Sequence, residues 1–534
     1  MHRADLIAGL SVAGLMLPEA VAYAGIAGLP PQRAIFAAIA GCLAYATVGR
    51  SRFAIVSATS SSAAILAATL AALPGGADAK GIAATLVVGM VGLLFLIASL
   101  GRLGGFTGFI SRPVLRGFAF GLAITIIARQ LPILVGSPVA APDIFRLAGR
   151  LLAAMPAWNP ASVVVGAVSL GALLLLRRLP AVPGAFIILV AGIAASLAFD
   201  LGGHGVATVG PIDTIPALPS LPHLPFSAYS RLAQFTLPLV LILFAESWGT
   251  IRTLALRHGD TVDADRELGA LGLANIASAF VQGMPVGAGF SAGSASEAAG
   301  AATRVTAIVA ALGLAILIAF AAPLIAHLPE PVLAAVVIGA LVHALDPAPL
   351  IRLWTLRRDL YVAMGAAMAV VVLGVLDGML VAILLSLAAM MRRLASPYVA
   401  RLGRLGTSHD YVDLRRHPDA IAPEHIAIWR PAQPLFFANV DRILTYIAQG
   451  TRTPAIVLSL EESFDLDSTA VDALVEFRAV LRARGVRLQL ARVHDAVHDL
   501  LAAAGAVDLR ANSSYSVDDA VIAVTIESPP EPKP

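Results

Sequence analysis

The chain has 534 residues, of which 58% are hydrophobic and only 13% are charged. Soluble domains carry about twice that share of charged residues, so the composition indicates a membrane protein. The net charge is only +3 and the arginines are scattered, so the chain lacks the clustered basic surface that is typical of nucleic-acid-binding proteins. The only cysteine, Cys42, excludes an intramolecular disulfide.

Long apolar runs predict twelve membrane spans, because runs of about 17 to 25 residues can cross a bilayer as helices. Two further segments, 57–62 and 289–296, are too polar to cross unaided and are predicted to be broken helices. Each half then holds seven segments, and an odd-numbered repeat inverts its second copy in the membrane. The predicted fold is an α-helical membrane protein with 14 spans in 7+7 inverted repeats. The twelve apolar runs lie near residues 6–27, 33–49, 81–100, 113–135, 160–177, 183–200, 233–256, 267–283, 303–325, 330–346, 360–376 and 377–394.

Charge density rises after Arg392, which separates a membrane part from a soluble part. Strand patterns at 426–429, 455–460 and 486–490 alternate with helical patterns at 468–484 and 495–504, which predicts a small α/β domain. We therefore predict a transport domain at 1–396, a linker at 397–424, the soluble domain at 425–526 and a disordered tail at 527–534. The arginine distribution places both termini in the cytoplasm, and the proline-rich segment 210–225 is then an external loop.

The two broken segments are the first candidate site. Exposed N–H groups at the start of a half-length helix can hold an anion at mid-membrane depth. Each segment follows a short extended stretch, at 53–57 and at 285–289, so the two helix starts are expected to face one ligand. Small residues there could instead serve helix packing. The candidate substrate-binding residues are Ala58, Thr59, Ser60 and Ser61 in the first segment and Phe290, Ser291, Ala292, Gly293 and Ser294 in the second.

Two carboxylates lie within apolar spans. A charged side chain there costs roughly 2.5 to 3.5 kcal/mol on insertion scales, so such residues usually face a cavity and bind ions or protons. Glu19 is the predicted proton-coupling residue. Glu19 and Tyr23, which lies on the same span, are predicted to bind the substrate. Glu246 and Thr250 are further predicted substrate-binding residues, because Glu246 begins the second repeat as Glu19 begins the first and Thr250 shares its helix face. The Glu19 carboxyl group could instead be neutral and hydrogen-bonded for packing, and Glu246 could instead anchor the unwound start of the segment 289–296.

No metal or cofactor site is predicted. The histidines are dispersed without metal-ligand spacing, and no glycine-rich phosphate loop precedes a Lys-Ser or Lys-Thr pair. No nucleophile or base constellation indicates an enzyme. The expected energy source is an ion gradient, either of protons or of sodium.

The motifs then point to a known family. The run from Asp5 through Leu17-Pro18-Glu19-Ala20 to Pro31, and the runs at 267–276, 282–286 and 299–301, resemble the sulfate permease (SulP) family. The run from Asp465 to Ala470 resembles the STAS domain that follows these transporters. Ser468 matches a phosphorylated position in related anti-sigma-factor antagonists, although Asp467 or Ser468 could simply cap the following helix.

The resemblance implies a core domain (spans 1 to 4 and 8 to 11) that moves against a gate domain, usually in a homodimer in the inner (plasma) membrane. It also implies an anion site between half-helices 3 and 10. Many members carry an arginine where this chain has Ala292, which weakens the expectation of a divalent substrate.

The predicted function is proton-coupled symport of a small anion (sulfate, dicarboxylate or bicarbonate) by elevator-like movement of the core, with the STAS domain as a regulator. The alternatives are a carrier of neutral nucleobases on the same fold and a membrane-anchored STAS sensor.

Overall fold

The computed structural model describes residues 3–71, 76–105, 112–141, 143–176, 184–215, 226–357, 359–395 and 398–526. It forms two compact units, Met1–Leu387 and Ala388–Pro534, which we call the membrane unit and the soluble unit. The predicted domain boundary at 396–397, most of the predicted external loop (216–225) and the predicted disordered tail (527–534) lie outside the described residues.

In the part of the chain that the structure describes, the first repeat of the membrane unit contains eight α-helices and one short strand. They are α1 (Arg3–Ala27), α2 (Pro31–Val48), β1 (Val56–Ala58), α3 (Ser60–Ala71), α4 (Ala77–Leu100), α5 (Arg112–Leu134), α6 (Ile144–Ala153), α7 (Pro160–Leu176) and α8 (Gly184–Phe199).

The second repeat has the same order of elements. They are α9 (Phe226–His258), α10 (Ala264–Phe280), β2 (Val286–Ala288), α11 (Phe290–Ala298), α12 (Val305–Ile325), α13 (Glu330–Leu341), α14 (Ala348–Leu356), α15 (Leu360–Leu373) and α16 (Val375–Ala395). The short helices α6 and α14 occupy equivalent places in the two repeats and were not predicted.

The remaining helices give seven membrane segments in each repeat, which confirms the predicted inverted repeat of 14 segments. Within the described residues, six helices are each long and apolar enough to span a membrane, namely α1, α4, α5, α9, α12 and α16. The half-helices α3 and α11 are only 12 and 9 residues long. Each follows a strand in place of its missing half.

The two strands pair with each other in the middle of the membrane unit. β1 and β2 are antiparallel, with Ser57 opposite Gly287, and all six residues are buried. Backbone groups in a membrane must be paired within the protein, so this two-stranded sheet replaces the hydrogen bonds that the broken helices lose. It also places the starts of α3 and α11 next to each other.

Polar side chains from neighbouring helices pair the outer edges of this small sheet. The Asn275 side chain donates to the Val286 carbonyl at 2.8 Å and accepts from the Val286 N–H at 3.0 Å. Ser247 Oγ accepts from the Ala288 N–H at 3.0 Å, and Cys42 Sγ donates to the Val56 carbonyl at 3.2 Å. Gly41 is required nearby, because a Cβ there would lie 2.9 Å from the Val56 carbonyl oxygen.

Helices α1–α4 pack with α9–α12, whereas α5 and α7 pack with α13 and α15. Asp5 at the start of α1 accepts hydrogen bonds from the backbone N–H groups of Ala302 and Thr303, just before α12. The starts of α1 and α12 therefore lie on one face of the membrane unit, which we call the N-terminal face.

The soluble unit is an α/β domain, as predicted. Its sheet has the order β4-β3-β6-β7-β8-β9, with β5 paired to β3, and the strands from β6 to β9 are parallel. The elements are β3 (Val399–Leu405), β4 (Tyr411–Asp413), β5 (Ala420–Ile421), β6 (Ile426–Pro431), α17 (Val440–Gly450), β7 (Ala455–Ser459), α18 (Ser468–Ala483), β8 (Arg487–Ala491), α19 (Asp495–Ala503), α20 (Val507–Ala511), β9 (Ser513–Ser514) and α21 (Val517–Ile526).

The segment 397–424, which the sequence predicts to be a linker, contributes strands β3, β4 and β5 to this sheet. The folded unit therefore begins earlier than predicted. These strands are hard to predict from the sequence because they are short and because β3 contains two arginines; Ala400 and Leu402 are buried, whereas Arg401 between them is exposed.

We expect Asn275→Leu to destabilise the membrane unit, since it leaves the N–H and carbonyl groups of Val286 buried without partners. Each unpaired group costs about 1–3 kcal/mol. The thermal unfolding midpoint of the purified protein should fall, whereas Leu273→Ala, on an exposed face of the same helix, should change it much less. Equal effects of the two substitutions would contradict this role of Asn275.

Candidate functional site

A cavity of about 600 Å³ lies at the starts of the two half-helices. It contains both intramembrane carboxylates and most of the residues predicted from the sequence. The predicted residues that line it are Glu19, Tyr23, Ala58, Thr59, Ser60, Glu246, Phe290, Ser291 and Ala292.

The two carboxylates bind the half-helices crosswise. Ser291 Oγ on α11 donates to Glu19 Oε1 at 2.8 Å, and Thr59 Oγ1 before α3 donates to Glu246 Oε2 at 3.3 Å. Glu19 in the first repeat thus contacts the half-helix of the second repeat, and Glu246 contacts that of the first. The inverted symmetry of the fold is therefore present in the hydrogen bonds of the site.

The start of α3 is held by a reciprocal pair of side chains. Thr59 Oγ1 accepts from the Ser62 N–H at 3.1 Å, and Ser62 Oγ accepts from the Thr59 N–H at 3.0 Å. This is the geometry of a capping box, with serine in the place of the usual glutamate. It leaves the N–H groups of Ser60 and Ser61 unpaired within the described part of the chain.

The start of α11 has no side-chain cap. Gly289 is its N-cap residue and makes no side-chain hydrogen bond, and the first N–H group paired within the helix is that of Gly293. The first N–H groups of a helix have no intrahelical partner and carry a partial positive charge. Two such helix ends meet at the cavity, which favours a negatively charged ligand there.

The described residues that line the cavity include Glu19 and Glu246 but no lysine, arginine or histidine. Ala292 occupies the position where many members of the resembled family carry arginine, and it lines the cavity. The positive charge available to a ligand is therefore limited to the two helix ends. An ionised carboxylate beside a bound anion would repel it.

Another part of the cavity wall is apolar and comes from a different group of helices. It includes the last turns of α7 and α13 and the start of α8, and its residues are Leu173, Leu176, Gly184, Ala185 and 339–341. Sequence reasoning missed these residues. Apolar side chains that line a cavity look the same in sequence as those that face lipid.

Four predicted residues do not line the cavity in the structure: Ser61, Thr250, Gly293 and Ser294. The Ser61 side chain instead interacts with Glu246. The Thr250 hydroxyl donates to the Glu246 carbonyl of its own helix at 3.0 Å. A Cβ on Gly293 would lie 3.2 Å from the Thr250 methyl group, so these two residues pack α11 against α9. Thr250 shares a helix face with Glu246, but its hydroxyl group bonds to the backbone of its own helix and does not line the cavity.

In the soluble unit, Asp467 rather than Ser468 caps α18. The Asp467 side chain accepts from the Ala470 N–H at 2.8 Å and from the Phe437 N–H at 2.7 Å. Ser468 is the first residue of the helix and is exposed. Its regulatory role stays a prediction.

The described residues contain no group of three or more His, Cys, Asp or Glu side chains that could hold a metal ion. The site as the structure has it consists of carboxylates, hydroxyl groups and helix ends.

The profile of the sulfate permease family matches residues 3–387, and the STAS domain profile matches residues 417–520. The chain belongs to the sulfate permease family. It is also 32% identical over 517 residues to a probable sulfate transporter, Rv1739c, of Mycobacterium tuberculosis, with 95% of this chain and 92% of that one covered. The family is one of transporters, so the chain is a multi-pass membrane transporter and not an enzyme.

Similarities to other proteins are consistent with membership of this family. Sulfate transporter 4.1 of Arabidopsis thaliana, a chloroplastic protein, is 27% identical, with 95% of this chain and 77% of that one covered. The fold is similar to that of the murine anion transporter Slc26a9 in its inward-facing state, with a TM-score of 0.88 at 20% identity, covering 98% of this chain and 91% of that one. The transmembrane domain of the cyanobacterial bicarbonate transporter BicA matches 72% of this chain and 98% of its own length, with a TM-score of 0.63 at 20% identity.

If the start of α3 contacts the ligand, Thr59→Val should weaken sulfate binding by the purified protein, because it removes the cap of α3 and the hydrogen bond to Glu246. Loss of an N-cap costs about 1 kcal/mol of helix stability, and if binding must restore the order of this helix start, the affinity falls roughly fivefold. Thr250→Val makes the same change of side chain outside the cavity and should leave affinity unchanged. Equal dissociation constants for the two variants would contradict this placement of the ligand.

Proposed function

We propose that the chain is a secondary active transporter of small anions that is coupled to protons, with sulfate as the first candidate substrate. The observation that carries this proposal is the meeting of two helix starts, each with unpaired N–H groups, with two carboxylates in one cavity. Helix starts attract an anion, and carboxyl groups can hold protons. The sulfate transporters among the relatives favour sulfate within this class.

Proton coupling follows from the charges in the cavity. With no cationic side chain among the described lining residues, an anion would meet two carboxylates and only the partial charges of the helix ends. Protonation of one carboxylate reduces this repulsion and protonation of both removes it, and each protonated carboxyl group gains a hydrogen to donate. Anion and proton would then bind together, which is the requirement for symport.

An elevator-like movement fits the division of the cavity between two groups of helices. The half-helices and both carboxylates belong to the group α1–α4 and α9–α12, whereas the apolar wall comes from α7, α8 and α13. The two groups also meet at an apolar cleft between α1, α8 and α12, lined by residues such as Leu17, Val21 and Ile193. Apolar surfaces can slide without breaking buried hydrogen bonds, so the first group could carry the ligand past the second.

The substrate is tested by uptake into liposomes that contain the purified protein. Labelled sulfate, bicarbonate, succinate and uracil are compared with and without an inward proton gradient. We expect gradient-driven accumulation of sulfate and none of uracil. Accumulation of uracil alone would favour the nucleobase carrier and overturn the proposal. Replacing the proton gradient by a sodium gradient distinguishes the two coupling ions.

If Glu19 carries the coupling proton, Glu19→Gln should abolish accumulation driven by a pH gradient while sulfate binding persists. Glutamine keeps the size and hydrogen bonding of glutamate but cannot be ionised. Glu297→Gln is the matched control, because Glu297 lies on α11 outside the cavity and pairs with Arg257 and His258. Undiminished proton-driven accumulation by the Glu19 variant would contradict the assignment, and Glu246→Gln tests the second carboxyl group in the same way.

Four further features are part of the proposal. The N- and C-termini lie in the cytoplasm, the protein resides in the plasma membrane in contact with lipid, it forms a homodimer, and Ser468 in the STAS domain is a regulatory site. The arginine distribution supports the orientation. Labelling of the termini in intact and permeabilised cells tests the orientation in the plasma membrane. Cross-linking tests the homodimer.

A chain that ends after residue 395, the last residue of α16, should still bind sulfate and retain some transport. All 14 membrane segments and both carboxylates precede that point. A slower rate is expected if the STAS domain regulates the moving helices. Loss of all sulfate binding by truncated protein that elutes as a single folded species would show that the STAS domain contributes to the site.

A further inference from the structure

A second pocket, of about 420 Å³, lies on the N-terminal face and is rich in arginine. It is formed by the end of α2 with its following residues and by the starts of α10 and α12. Its described lining residues include no acidic side chain. They are Gly49, Arg50, Arg52, Arg266, Thr303 and Arg304.

Three of the four guanidinium groups lack an ion-pair partner in the described part of the chain. Arg52 is neutralised by Asp260, with Nε to Oδ2 at 2.7 Å and Nη2 to Oδ1 at 3.1 Å. Arg50, Arg266 and Arg304 form no such salt bridge. The carboxylate of Glu267, which follows Arg266, is buried and is already bonded to the Tyr45 hydroxyl and to the Arg50 N–H.

Capping of α2 explains only part of this arrangement. Arg266 Nε donates to the Val48 carbonyl at 3.0 Å, and Arg304 Nη1 donates to the Gly49 carbonyl at 3.2 Å. Each guanidinium has five N–H donors, so both arginines keep further donors. The Arg50 side chain makes no hydrogen bond within the described residues, so capping gives no reason for its presence.

Arginines are common at a cytoplasmic membrane face, but that rule does not require them to converge on one pocket. Planar guanidinium groups that converge are suited to the oxygens of a phosphate group. The helix starts nearby contribute little to the attraction, because Asp263 accepts from the start of α10 and Asp5 from the residues before α12. The charge that would attract a ligand belongs to the arginines.

We propose that this pocket binds a phosphate group, either from the headgroup of an anionic lipid or from free phosphate, through Arg50, Arg266 and Arg304. The bound group would link the end of α2 to the starts of α10 and α12. It would also fix residues 49–53, which lead into β1 and so to the start of α3. The pocket is separate from the transport cavity, and the proposal does not depend on which anion is transported.

The test uses full-length protein in nanodiscs and two probes. Native mass spectrometry counts phosphatidylglycerol that is retained against phosphatidylcholine, and calorimetry measures inorganic phosphate binding in phosphatidylcholine alone. Arg50→Gln, alone and combined with Arg266→Gln and Arg304→Gln, is compared with Arg352→Gln, an exposed arginine on α14 outside the pocket. The single variant preserves both caps of α2, so it remains informative if the triple variant does not fold.

We expect roughly tenfold weaker binding of one probe in the triple variant, a smaller loss in Arg50→Gln and no loss in Arg352→Gln. Loss of lipid retention alone assigns the pocket to a headgroup, and loss of phosphate binding alone assigns it to a soluble ligand. If wild-type protein binds neither probe, or if Arg50→Gln and Arg352→Gln bind both as wild type does, the proposal is overturned. Sulfate transport measured in parallel reports on the transport cavity and can fail independently.

Discussion

The pairing of β1 with β2 is the interaction on which the site depends. A helix that stops in mid-membrane leaves N–H and carbonyl groups without water to satisfy them. Here two broken helices solve the problem together, since each supplies the strand that the other requires. The same pairing brings the starts of α3 and α11 to one point. The unpaired helix ends that attract a ligand are thus a by-product of the way in which the breaks are stabilised.

Hydrogen bonds from residues around the strands stabilise this pairing. Asn275 satisfies both backbone groups of Val286, and Ser62, whose hydroxyl takes part in the cap of α3, also donates to the carbonyl of Pro285 in the other repeat at 3.1 Å. The starts of the half-helices are therefore fixed to each other before any ligand arrives. A site preorganised in this way loses less free energy to ordering when it binds.

Much of this arrangement could be predicted from the sequence, because membrane helices have long apolar runs and broken helices do not. The repeat, the half-helices, the two carboxylates and the extended stretches before α3 and α11 all have clear signals. Partners across the repeat have no such signal. Spacing along α9 pairs Glu246 with Thr250, whereas the structure pairs Glu246 with Thr59, which is 187 residues away. The apolar wall of the cavity could not be predicted from the sequence either, because only the packing of the helices determines which apolar side chains line it.

The number of protons that bind with the anion determines how the membrane potential would act on transport. Two ionised carboxylates give the empty cavity a charge of about −2, whereas two neutral carboxyl groups beside a divalent anion give the loaded cavity the same charge. The membrane potential does work only on a difference in charge between the two crossings. Such a carrier would be electroneutral, so accumulation would follow the pH gradient even across a depolarised membrane. An arginine at position 292 would change the charge of both forms equally, so its absence alters anion affinity without altering this balance.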